Sequence, residues 1–262
     1  MIEVASLRYG VIFKKVFSRP HIFTAFVKDI LGIDVEIDKV EIEKSFSPII
    51  GNVDSRFDLF AQDTKNRLII DIQHRRYQDH YHCVALLEQI TNSANYKPDM
   101  QVYIIVVLTS DDKHKTDILV TDFRPKKADD TYVTETQHKI IYVCPKYVTD
   151  KTPGPCRKWL QVINDSLDRQ VEESIHQDDV IQEVFSFIKK DKISPQEYAR
   201  MKDNYSNEKY MQEQTQKAKN EGIKKGKKDA LLTVAKNLKI AGIAMETIVE
   251  TSGLSMEQIK SL

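Results

Sequence analysis

The stretch Met100 to Leu108 (MQVYIIVVL) is dominated by Val and Ile without alternation of polar residues. A half-exposed strand alternates apolar with polar side chains, so an unbroken run reads as a strand covered on both faces. Such a strand needs a sheet with further layers packed over it, which gives the fold class as α/β. Upstream, Ile12 to Ile33 places Phe23, Phe26, Val27, Ile30 and Leu31 three and four apart, the stripe of a buried helix, with Pro20 suited to its start and Gly32 to its end. Val35 to Ser45, Asn52 to Ala61 and Arg67 to Gln73 read as three successive strands in a meander, with turn chemistry at Asp63, Lys65 and Asn66 between the last two. Gln78 to Tyr96 has helical spacing and is stopped by Pro98. The expected order is helix, three strands, helix, strand. Further strands follow over Asp117 to Phe123 and Lys139 to Cys144, and helices from about Arg157 onward.

With 262 residues, 41% hydrophobic and 30% charged, the chain has room for one or two units with a real core. No apolar run reaches the roughly 18 to 20 residues that span a bilayer. The start, MIEVASLRYG, lacks a basic stretch followed by an apolar one. We therefore expect a cytoplasmic protein without a membrane partner. Cys83, Cys144 and Cys156 form no CxxC pair, which fits a reducing setting and argues against a structural zinc site. Lys+Arg and Asp+Glu both count 39, so any electrostatic signal for nucleic acid must be local. Residues 1–165 read as the main domain. Residues 166–228 read as a charged helical linker with a hinge at Gly222 and Gly226, and 229–262 as a small helical module punctuated by Gly242 and Gly253.

The chemistry concentrates between Asp58 and Gln73. Asp58 shares strand parity with Arg56 and Phe60, and Asp71 with Ile69, Gln73 and Arg75. A carboxylate among Leu68, Ile69, Ile70 and Ile72 costs several kcal/mol to bury unless a cation or donors compensate it. Two arrangements satisfy that need. In one, Asp71 pairs with Arg56 or Arg75 and Asp58 sits at a solvated sheet end. In the other, Asp58 and Asp71 share a divalent metal with the Ile72 carbonyl as a further oxygen ligand, and Gln73 lies beside the reacting group.

The segment RFDLFAQDTKNRLIIDIQHRR resembles the PD-(D/E)XK nuclease fold. More narrowly, together with IFKKVFSRPHIFTAFVKDIL near the start and EGIKKGKKDALLTVAKNLKIAGIAMETIVETSGLSMEQIKSL at the end, it resembles the PD-(D/E)XK nuclease family transposases, the recombination-promoting nucleases. The resemblance implies a restriction-endonuclease-like core of helix, three-strand meander, helix and strand, followed by a mostly helical carboxyl-terminal region. It also implies hydrolysis of a DNA phosphodiester, with Asp58 and Asp71 holding Mg²⁺, or Mn²⁺ in its place, and Gln73 orienting the nucleophile. Family members are associated with recombination, mobile elements and phage defence. Three features depart from the family pattern: Arg8, Tyr9 and Gly10 stand where relatives often carry an acid before the FK pair, Asp71 replaces the usual Glu, and no arginine follows in the next helix. Because glutamine supplies no cation, the charge must come from the metal or from Arg75 and Arg76.

Lys14 and Lys15 are candidate phosphate contacts, or simply a wet helix face. His80 and His82, two apart on a helix, point about 200° apart and are poor joint ligands. Cys83 reads as a small core residue. The clearest positive patch is Lys217, Lys219, Lys224, Lys225, Lys227 and Lys228, suited to tracking a phosphate backbone. The carboxyl-terminal module has a helix, Gly turn, helix pattern that suits packing or homodimer formation, or DNA reading. A second class of function remains open, a degenerate nuclease fold that binds DNA or a protein partner without cutting.

Overall fold

The chain forms two units, Met1–Met201 and Lys202–Leu262, and the computed structural model describes residues 1–46, 55–74, 100–133 and 138–262. In chain order the first unit carries β1 (Ile2–Glu3), α1 (Gly10–Phe17), α2 (Pro20–Leu31), β2 (Glu41–Phe46), β3 (Ser55–Gln62), β4 (Asn66–Gln73) and β5 (Gln101–Leu108). It continues through β6 (Ile118–Asp122), β7 (Lys139–Val143), α3 (Gly154–Asp165), β8 (Gln170–Val171) and α4 (Asp179–Ile188). Six strands make one mixed sheet in the order β2-β3-β4-β5-β7-β6. The meander β2, β3, β4 is antiparallel, β5 and β7 run parallel to β4, and β6 returns antiparallel along β7.

β5 lies between β4 and β7 and is apolar on both faces, as its sequence demands. Tyr103, Ile105 and Val107 join one core with Leu59, Leu68 and Ile70 of the sheet and with α1, α2, α3 and α4. Val102, Ile104 and Val106 join a second core with Phe57, Phe60, Ile69 and Tyr142. The helix expected over Gln78 to Tyr96 lies outside the described residues, as do Arg75, Arg76, His80, His82 and Cys83.

The helical layer is pinned by aromatic contacts. Phe13 and Phe17 stack with ring centres 4.2 Å apart, and Phe26 meets Trp159 edge-on at 5.3 Å. Each such pair adds roughly 0.5 to 1.5 kcal/mol beyond the burial of its surface. The buried Trp159 indole donates to Asp29 Oδ2 at 2.7 Å, and Lys158 links Asp29 to Asp178, whose carboxylate caps the first turn of α4. Pro20 opens α2 and Gly32 closes it in the left-handed conformation at φ 68°, the two boundaries that the sequence marks.

Several elements differ from the sequence expectation. β2 begins at Glu41 rather than Val35. Glu41 pairs with Phe60, and β3 ends two residues later at Gln62, so a strand starting at Val35 would have no partner. β3 stops there because Asp63 Oδ1 accepts the backbone N–H groups of Lys65 and Asn66, both at 2.7 Å, and forces the turn. The first unit runs on to Met201 because Ile181, Val184, Phe185 and Ile188 form a buried stripe that seats α4 in the main core, and β8 pairs with β1.

The second unit consists of most of α5 (Pro195–Ile240), α6 (Met245–Ser252) and α7 (Met256–Lys260). α5 is continuous over 46 residues and passes through Gly222 and Gly226, where a hinge was expected. A helical glycine costs only about 1 kcal/mol against alanine, and here the neighbours are strong helix formers. Ala235, Ile248, Leu254 and Ile259 make a small separate core, and Ser255 and Gln258 form a capping box on α7. Among the described residues no helix is long and apolar enough to cross a membrane, and Cys144 and Cys156 are buried.

His138 gives a test of the sheet. Its Nδ1 accepts the Val102 backbone N–H at 3.0 Å, and burial holds its pKa below the ordinary histidine value. The folded protein therefore keeps His138 neutral. Its stabilising contribution is complete above the unfolded pKa near about 6.5 and is lost as pH falls toward the folded value. We expect the urea midpoint to drop between pH 7 and pH 5 and the drop to shrink in His138→Gln, as followed by circular dichroism.

Candidate active site

β3 parts from β4 at Asp58. Their ladder runs from Gln62 opposite Arg67 to Leu59 opposite Ile70, and the next step of that register would set Asp58 opposite Asp71. The β3–β4 ladder stops there, while β4 keeps its pairing with β5 as far as Gln73 opposite Leu108. The Ile72 N–H donates to Asp58 Oδ2 at 3.0 Å, a side chain taking the place of a strand carbonyl. In extended backbone the N–H and C=O of one residue point to the same side, so the Ile72 carbonyl also faces this opening.

The distortion extends to the other neighbour of β3. Glu43 lies between the pairs Ile42 with Leu59 and Lys44 with Phe57, and its φ is 54°, a left-handed value that costs a non-glycine residue about 1 kcal/mol or more. Phe57 packs in the second core and Leu59 in the first, although residues two apart on a regular strand share a face. The expected parity of Asp58 with Arg56 and Phe60 therefore fails at this point.

α1 lies over the first core, with Phe13, Val16 and Phe17 fully buried, and this fixes where Lys14 can reach. The Lys14 ammonium donates to Glu43 Oε1 at 2.8 Å and to Asp58 Oδ1 at 3.3 Å. Burial alone would lower its pKa, but the hydrogen bond to Glu43 and the charge of Asp58 outweigh that and raise it. The same bond and charge from Lys14 hold the Glu43 carboxyl below its usual range. Arg56 adds a looser ion pair to Glu43 at 3.5 Å. A side chain at Gly10 would point toward Ile72 and Lys14, each 3.9 Å from the Cβ position, so an acid at that place would reach the same cluster.

Asp71 and Gln73 share the parity of Ile69, which packs on the second core. Both are buried, and the Gln73 amide donates to Asp71 Oδ2 at 2.7 Å, which supplies one of the donors that a carboxylate in this layer requires. The strand end is tied to β5 by the Thr109 N–H donating to the Gln73 carbonyl at 2.9 Å. Asp58 thus meets Lys14 from the α1 face, while Asp71 carries the parity of the opposite face.

The two lysines of α1 do different things. Lys15 donates to the Lys192 carbonyl at 2.6 Å and pairs with Glu197, so it fastens α1 to the chain entering α5 and is remote in partners from the acid pair. Lys224, Lys225, Lys227 and Lys228 are exposed on α5. Lys217, Lys224 and Lys228 fall on one helical face, spread along about 16 Å of axis. Glu43 was not among the candidates from sequence. Its proximity to Asp58 depends on strand register, which the alternation of Val35, Ile37, Val40 and Ile42 does not encode.

Two carboxylates and a backbone carbonyl are hard oxygen donors of the kind that Mg²⁺ and Mn²⁺ take, and each Asp58 oxygen keeps a lone pair beyond the bond already made. In donor chemistry the residues fit such an ion. Among the described residues no group of three or more His, Cys, Asp or Glu side chains is gathered to hold a metal. Comparison with family models, curated proteins and solved structures finds no match to this chain.

Removing the Asp58 carboxylate leaves the Ile72 N–H without its acceptor. We expect Asp58→Ala to lower unfolding free energy by about 1 to 3 kcal/mol, while Asp58→Asn, which retains an acceptor oxygen, loses clearly less. Urea unfolding of the two variants checks this.

Proposed function

We propose that the protein is a divalent-metal-dependent DNA endonuclease of the PD-(D/E)XK type, which hydrolyses phosphodiester bonds. The observation that carries this reading is the Asp58 carboxylate held at the parting of β3 and β4, next to the Asp71-Ile72-Gln73 triplet. The described order of helices, antiparallel meander and parallel strand supports it, since that is the core order which the sequence resemblance implies.

In this reading Asp58, Asp71 and the Ile72 carbonyl hold Mg²⁺ or Mn²⁺. When bound, the ion supplies a water of lowered pKa and positive charge toward the phosphate. The protein's own groups do the positioning. Gln73 bonds to Asp71 and so fixes the direction of that carboxylate, and in this reading its amide orients the attacking water. Arg75 and Arg76 follow directly in the chain, and in this reading they add cations. The lysines 224, 225, 227 and 228 contact the phosphate backbone. A cytoplasmic role in recombination, mobile elements or phage defence, and a homodimer formed through the carboxyl-terminal module, belong to the same proposal.

One observation favours a second reading, a degenerate nuclease fold that binds DNA or a protein partner without cutting. Lys14 already neutralises Asp58 and occupies Oδ1, as in a site that needs no metal. Plasmid nicking and cleavage by wild type and Asp71→Ala, in Mg²⁺, Mn²⁺, Ca²⁺ or EDTA, separates the two. The nuclease reading expects cutting in Mg²⁺ or Mn²⁺ only, and a loss of at least about 100-fold in the variant. Folded wild type that retains DNA but cuts in no metal would establish the binding protein instead. Replacing Lys224, Lys225, Lys227 and Lys228 with Ala is expected to reduce the slope of log affinity against log salt by about 3 to 4, as read by fluorescence anisotropy.

A further inference from the structure

We infer that Lys14 is the catalytic cation of this site, its ammonium meeting the scissile phosphate in the role that the acid-x-Gln triplet leaves without a positive charge. This assignment rests on the nuclease reading and deepens it. Gln73 is neutral, buried and bonded to Asp71, so the third position of the triplet offers a dipole and no charge. Lys14 comes from a different element, α1, yet its Nζ lies 3.3 Å from Asp58 Oδ1, on the carboxylate whose Oδ2 accepts the Ile72 N–H.

The chemistry of the ammonium suits the task. It has three N–H donors, of which Glu43 and Asp58 take two, leaving one for a substrate oxygen. Its side chain is 17% exposed, enough for a phosphate to reach and shielded enough for the charge to act strongly. The helix beneath it is rigid, because Phe13, Val16 and Phe17 are fully buried on either side in sequence. An ammonium bonded to two carboxylates is aimed before substrate arrives. Lys15 shows the contrast, since its partners are Lys192 and Glu197 and not Asp58.

Glu43 acts as a positioning residue. It holds the Lys14 ammonium at 2.8 Å, and it does so from a left-handed backbone conformation at φ 54° that a regular strand would not adopt. Strain of this kind, observed at a point where three charged groups converge, is consistent with a geometry kept for function.

The test is steady-state cleavage of a defined DNA duplex in Mg²⁺, together with duplex binding in Ca²⁺ by fluorescence anisotropy. Lys14→Met is expected to lower kcat by about 100-fold to 1,000-fold, the usual effect of removing one group that stabilises developing charge, while KM and the Ca²⁺ affinity move by no more than about threefold. Lys14→Arg should recover a substantial part of kcat, and Glu43→Gln should lower kcat by about tenfold with KM little changed. If Lys14→Met does not fold, Lys14→Gln removes the charge while keeping hydrogen bonds to the carboxylates. Wild type that cuts while the folded Lys14 variants keep kcat within about threefold overturns the assignment and leaves the nuclease reading intact. Wild type that cuts in no metal overturns both.

Discussion

The two-sided burial of β5 is the constraint on which the first unit depends. A strand with Val102, Ile104 and Val106 on one face and Tyr103, Ile105 and Val107 on the other cannot sit at an edge or face water. It must have a strand on each side and a layer above and below. β4 and β7 take the flanks, and α1, α2, α3 and α4 cover one face. Because β4 runs parallel to β5 in register from Asn66 with Gln101 to Gln73 with Leu108, the acid-x-Gln triplet is carried to the carboxyl end of the parallel strands. In open α/β sheets that end is where ligands bind.

Local periodicity made much of this fold readable. β5, β4, the turn at Asp63 and the boundaries of α2 each follow from a short pattern with a local cause, such as a run of β-branched residues, an Asx turn, or Pro and Gly at helix ends. α4 was less visible because its stripe of Ile181, Val184, Phe185 and Ile188 is embedded in a charged stretch, and averaging over that stretch hides it. The continuity of α5 is hidden in the sequence for the opposite reason. Gly222 and Gly226 are strong punctuation in a turn, but within a long helix each costs only about 1 kcal/mol.

The site was legible in part. Asp71 and Gln73 on one face follow from alternation, and the Gln73 bond to Asp71 is the result. The position of Asp58 does not follow from alternation, because β3 abandons its regular pleat there and switches face between Phe57 and Leu59. Nor does the convergence of Lys14 and Glu43, which lie 29 positions apart and meet only through the packing of α1 on the sheet and the register of β2 against β3. Charged residues on a helix flank and on an edge strand look like solvated surface in sequence. Tertiary structure turns them into a compact group with Asp58.

The backbone at Glu43 has a further meaning. A left-handed residue on a strand is a place where glycine or asparagine would sit with less strain. The chain carries a long acidic side chain there instead, at a cost of about 1 kcal/mol or more. Part of the folding free energy is thus diverted into holding one carboxylate against one ammonium. Replacement by glycine would relax the strand and strip the cluster of an anion, so that at this position tolerance to heat and the aim of Lys14 pull in opposite directions.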